Sequence, residues 1–110
     1  MTDPTQKSDV WQGTMALMVL KTLEAMGPLH GYGIARRIEQ VSNGTLSLNQ
    51  GTIYPALHRL ERAGLLQSGW STASGHRRRI YQLTARGKRA AASARGDWRR
   101  FSAAVEAVLA

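Results

Sequence analysis

The stretch Asn49-Gln50-Gly51-Thr52-Ile53-Tyr54-Pro55-Ala56-Leu57-His58-Arg59-Leu60-Glu61-Arg62-Ala63-Gly64-Leu65-Leu66 constrains the fold of this chain more than any other. Ile53, Leu57 and Leu60 recur at spacings of four and three, which predicts a helix with one buried face. Asn49 is a good N-cap, and Gly64 is placed to close the helix in a left-handed conformation. At about 3.6 residues per turn, the stripe opposite the core is Gly51, Pro55, His58 and Arg62, with Tyr54 and Arg59 on its flanks. That stripe carries no acid, and Glu61 sits close to the apolar side. Pro55 removes one helical hydrogen bond and crowds the carbonyl of Gly51, whose missing side chain leaves the backbone room to adjust. A smooth glycine–proline start with basic residues behind it suits a DNA major groove. Taken alone, the helix fits an ordinary surface position equally well.

The flanking segments supply the context. From about Ser8 to Met26 the pattern is helical and apolar nearly all round, with Trp11, Met15, Met18, Val19, Leu20 and Leu23, so this helix should lie under other elements. Gly27-Pro28 stops it. A second helix is expected from about Gly31 to Val41, with Ile34, Ile38 and Val41 on one face. Ser42-Asn43-Gly44 is turn chemistry, and the alternation in Thr45-Leu46-Ser47-Leu48 suggests a short strand. Beyond the central helix, Leu65–Trp70 and Arg79–Leu83 read as two strands around a polar loop, a hairpin with a basic tip. Thr84 should cap a last helix reaching about Leu109. In it Ala91, Ala94, Trp98, Phe101, Val105 and Val108 form an a/d seam over most of three heptads, the pattern of a helix that meets another helix. A dimer is the expectation; packing back on the same chain is the alternative. Trp11 is expected to pack the first helix against that dimer helix.

The fold class expected is therefore mainly α with a small β-hairpin: a winged helix-turn-helix followed by a long C-terminal helix. Residues 1–7 should be disordered, 8–83 the winged-helix domain and 84–110 the dimerisation helix. With 110 residues the chain suffices for one modest core. It has no cysteine, which leaves no disulfide framework and no thiolate metal site. With no signal-like N-terminus and no apolar run long enough for a bilayer, a soluble, cytoplasmic protein without membrane contact is the default. The net charge is +8, and nine of the fifteen basic residues fall between Arg77 and Arg100, where Asp97 is the only acid. A pI near 11.1 points to polyanionic partners. His30, His58 and His76 share no ligand spacing, so no metal or other cofactor is expected. No nucleophile–base pair or phosphate loop suggests an enzyme.

Four motifs carry a family resemblance: Leu29-His30-Gly31-Tyr32-Gly33-Ile34, Gly51-Thr52-Ile53-Tyr54-Pro55-Ala56-Leu57, Arg59-Leu60-Glu61 with Gly64-Leu65, and Arg78-Arg79-Ile80-Tyr81-Gln82-Leu83-Thr84. Together they resemble the PadR family of bacterial transcriptional regulators over roughly residues 12–100, and the single short final helix resembles its small subfamily. The resemblance implies a homodimeric winged-helix repressor on a palindromic double-stranded operator, often released by a small aromatic effector. It implies that Tyr32, Thr52 and Tyr54 contact phosphates and that Gly51, Pro55 and His58 face base edges. Gln50, Arg59 and Arg62 would assist on the helix, and the wing, with His76, Arg77, Arg78 and Arg79, would touch the backbone or the minor groove. It also matches Trp98, with Phe101 beside it, to an aromatic-ligand pocket at the dimer interface. Ile80 departs from the family, where many members carry a second aromatic. Two other readings compete: a winged-helix module that binds an acidic protein, and a nonspecific architectural DNA binder.

Overall fold

The computed structural model describes residues 9–73 and 75–110; the disordered tail expected for residues 1–7 and the side chain of Trp11 lie outside what it describes. The elements run α1 (Asp9–Met26), β1 (Leu29–His30), α2 (Gly31–Val41), α3 (Gln50–Arg62), β2 (Leu66–Ser71), β3 (Arg78–Leu83) and α4 (Ala85–Leu109). This is a helix-turn-helix with a β-wing and a long last helix.

The all-round apolar character of α1 has a direct cause: it touches α2, α3, β3 and α4. Met15, Val19, Leu20 and Leu23 of α1 are buried with Ile34 and Ile38 of α2 and Ile53, Leu57 and Leu60 of α3. Truncating a fully buried residue such as Leu57 to alanine removes about 2–5 kcal/mol, because transfer energy is lost and a cavity remains. Asn49 caps α3 as expected, and Gly64 at φ +79° ends it. The Gly64 N–H donates to the Glu61 carbonyl and the Leu65 N–H to the Leu60 carbonyl, both at 3.0 Å, the pairing of a Schellman motif. The helix continues through Pro55.

Two expectations change. Thr45–Leu48 is not a strand. Its two leucines reach the core from an irregular segment held at its start by the Ser42 hydroxyl, which accepts from the Leu46 N–H at 3.0 Å. The third strand is instead Leu29–His30, too short for any alternation to register, and the sheet order is β1-β3-β2. Second, the seam of α4 divides. Ala91 and Ala94 are 0% and 1% exposed within the single chain, where α4 packs on α1, so neither has surface left for a partner. Small residues there let the two helices approach closely. Only Trp98, Phe101, Val105 and Val108 remain open along that face.

The start of α4 is fixed by Thr84. Its hydroxyl accepts from the Gly87 N–H at 3.0 Å and donates to the Gly64 carbonyl at 2.7 Å. Among the described residues no helix is long and apolar enough to cross a membrane.

Candidate nucleic-acid interface

Burying Ile53, Ala56, Leu57 and Leu60 leaves Gln50, Gly51, Pro55, His58 and Arg62 exposed on the far side of α3, as the spacing predicts. Arg59 and Tyr54 are half-buried on its flanks. The Asn49 Oδ1 accepts from both the Thr52 N–H at 3.0 Å and the Thr52 hydroxyl at 3.1 Å. Thr52 therefore spends both of its donors on the cap, and a phosphate contact would have to compete for them. The Tyr54 ring lies against Gly31, where an added Cβ would stand 2.7 Å from Cε1. Glycine at the first position of α2 is what admits the ring.

α2 contributes its N-terminus. His30 is its N-cap, with Nδ1 accepting from the Gly33 N–H at 3.0 Å. Tyr32 is exposed, with its ring stacked on that of His30 at 6.1 Å and its hydroxyl 3.4 Å from Arg36 Nη1.

The wing follows from strand alternation. Leu66, Ser68 and Trp70 pair with Leu83, Tyr81 and Arg79, so these six share one face. At the base that face is core, with Leu66 and Tyr81 buried. Toward the tip it presents Trp70, 57% exposed. Burial is the main cause that pushes the Tyr81 hydroxyl above its ordinary pKa; nearby Arg79 opposes this.

The three consecutive arginines have separate surroundings. Arg78, on the opposite face, brings Nη1 to 2.8 Å from His30 Nε2. Arg79 Nε donates to Ser68 Oγ at 2.9 Å, and that hydroxyl donates to Glu61 Oε2 at 2.6 Å. Arg79 Nη2 lies 3.8 Å from the same carboxylate, a partly exposed pair that contributes at most about 1 kcal/mol. Arg77 lays its guanidinium over the Trp70 ring, 4.2 Å from the centroid. Glu61, near the apolar side of α3, is thus what ties that helix to the wing.

Between α2, α3 and the wing lies an open groove of about 510 Å³, lined by His30, Tyr32, Tyr54, His58, Trp70 and the wing arginines. It brings together Tyr32, Gln50, Tyr54, His58, Arg77, Arg78 and Arg79 from the sequence-based set. Gly51, Thr52, Pro55, Arg59 and Arg62 lie outside it, and His76 is exposed at the wing tip. The sequence reading missed His30 and Trp70. The signal for Trp70 was present: it continues the inward face of β2 past the end of the core.

At the other end of the molecule, Trp98 and Phe101 are 44% and 43% exposed, with ring centroids 6.2 Å apart and planes tilted by 43°.

Residues 19–93, well over half of the chain, match the model of the Transcriptional regulator PadR-like family. A transcriptional regulator of Mycobacterium tuberculosis is 40% identical over 52 residues, 47% of this chain and 49% of that protein, so the match spans about half of its length. The fold superposes on a PadR family transcription regulator from Clostridium difficile with a TM-score of 0.69 at 32% identity, covering 87% of this chain and 98% of that one. A transcriptional regulator from Clostridium thermocellum gives a TM-score of 0.78 at 25% identity, covering 90% and 96%. Bacillus subtilis PadR, solved in complex with operator DNA, shares the fold with a TM-score of 0.63 at 24% identity, over 77% of this chain and 45% of that one. These relatives are regulators rather than enzymes, and the chain belongs to the PadR-like family of transcriptional regulators.

Proposed function

We propose that this chain binds an operator in double-stranded DNA as a homodimer and represses transcription from it. One observation carries the reading: the solvent face of α3, free of acid, opens onto the same groove as the three wing arginines. In this reading α3 enters the major groove, with Gly51 and Pro55 allowing close approach and His58 at base edges. Tyr32, Tyr54 and the wing arginines position the duplex through its backbone. The complex of Bacillus subtilis PadR with operator DNA supports the DNA partner.

The dimer reading rests on the open part of α4, where Trp98, Phe101, Val105, Val108 and Leu109 form an exposed apolar strip. A twofold axis would pair that strip with itself and give a palindromic site. The tilted Trp98–Phe101 pair offers a flat aromatic effector apolar burial and ring contact. Such a ligand would release DNA only if it favoured one dimer geometry over another.

Selection of duplexes from random DNA, followed by footprinting, tests the reading. A palindromic consensus with log K falling steeply against log salt is expected. Equal retention of all sequences would make the protein a nonspecific binder, and no retention at low salt would favour an acidic protein partner.

A further inference from the structure

The inward face of the wing ends in a feature that core packing does not explain. Trp70 is more than half exposed, yet it stands on the strand face that buries Leu66 and Tyr81 a few residues away. Its indole is not bare: the guanidinium carbons of Arg77 and Arg79 lie 4.2 Å and 5.4 Å from its ring centroid. Arg79 is held by Ser68 and Glu61, and Arg78 turns to His30 on the opposite face. Arg77 forms no ion pair among the described residues, and its guanidinium rests on the indole.

We propose that Trp70 is a specificity-determining residue that holds Arg77 for insertion into the minor groove, selecting A·T-rich flanks of the bound site. This rests on the DNA-binding function proposed above. Phosphate contact alone needs only a cation, which an unstacked arginine supplies, and it would leave the indole in water. The minor groove offers what both groups lack. Its sugar walls accept an apolar plate, and its floor attracts a guanidinium most strongly where A·T tracts narrow it. The stack costs Arg77 none of its edge donors, because the indole takes the ring face and the N–H groups lie in the guanidinium plane.

The test uses the intact protein and the duplex selected from random DNA, with flanks rebuilt in three ways. Flanks of A·T, of G·C, and of I·C, which shows the A·T pattern in the minor groove and the G·C pattern in the major groove, are compared. Wild type should bind A·T and I·C flanks with similar affinity and G·C flanks more weakly. Arg77→Ala should lose that discrimination while keeping the preference at the central bases. Trp70→Ala should lose it as well and lower affinity roughly two- to fivefold, the size of an exposed cation–π contact. Trp70→Phe should restore part of both, and thermal unfolding of the three variants should stay close to wild type. Wild-type indifference to minor-groove composition, with selective central binding intact, overturns the role of Trp70 and leaves the operator reading standing. So does discrimination that survives Trp70→Ala. A protein that selects no sequence at all overturns both.

Discussion

His30 caps α2 through one ring nitrogen and turns the other to Arg78, 2.8 Å from Nη1. A neutral imidazole has one acceptor nitrogen, yet each of its two nitrogens faces a donor, Nδ1 the Gly33 amide and Nε2 the Arg78 guanidinium. Protonation would remove that acceptor and set a second cation beside Arg78. Burial first, and Arg78 second, hold the His30 pKa below its ordinary value. In the unfolded chain the ring binds its proton at about pH 6.5. Just below that pH the unfolded state holds more protons than the folded one, so stability falls as the pH is lowered there and levels off below the folded pKa. Thermal unfolding should therefore show a melting temperature that drops on acidification through about pH 6.5. His30→Asn keeps a capping acceptor without a titrating ring and should flatten that drop. A wild-type profile no steeper than the variant's would refute the link.

Gly87 has no room for a side chain. A Cβ there would run into the carbonyl oxygen of Leu65, which also accepts from the Thr84 N–H at 3.1 Å. Backbone cannot yield as a side chain does, so Gly87→Ala should cost about 1–3 kcal/mol or more. Gly13, exposed on α1 with open space around its Cβ position, is the contrasting case. Gly13→Ala should stabilise by about 0.5–1 kcal/mol. Denaturant titrations of the two variants measure both signs.

Tyr54 and His58 are one turn apart on α3 and should answer differently. Tyr54→Phe removes a phenol that carries no base identity, so affinity should fall alike on operator and random duplexes. Gly31→Ala should have a similar consequence with little loss of stability, because the Tyr54 ring must swing to make room. His58→Ala should cost about 1–3 kcal/mol at particular operator positions only. Binding measured on single-base operator variants separates the cases, and the reverse pattern would mean that α3 sits in the groove in another orientation.

Trp98 and Phe101 are exposed in the single chain, whereas Ala91 and Ala94 are not. Replacing Trp98 and Phe101 together by alanine should yield folded monomers that lose operator binding. Ala91→Leu should instead destabilise the chain itself by about 1–3 kcal/mol. Sedimentation with thermal melts distinguishes the outcomes; a double variant that stays dimeric would move the interface elsewhere.

Local chemistry made much of this molecule legible. The spacing of Ile53, Leu57 and Leu60, the Asn49 cap, Gly64 after the helix, and the Thr84 start of α4 are rules that act within one or two turns. The fold keeps each of them and adds distant contacts, such as the Thr84 hydroxyl donating to the Gly64 carbonyl. The acid-free face of α3 followed from the same periodicity. What pattern reading could not settle were choices between partners distant in sequence. Whether Ala91 and Ala94 meet another chain or α1 depends on which apolar face arrives first, and a heptad pattern looks the same in either case. Thr45–Leu48 alternates without being a strand, because Leu46 and Leu48 are drawn to the core while no neighbouring strand is there to pair with their backbone. Leu29–His30 is a strand only because the edge of β3 lies beside it. Arg77, Arg78 and Arg79 read as one basic run. Tertiary structure divided them: Arg78 meets His30, whereas Arg77 and Arg79 both flank Trp70 and Arg79 also reaches Glu61, since a pleated strand sends alternate side chains to opposite faces and those faces meet different elements.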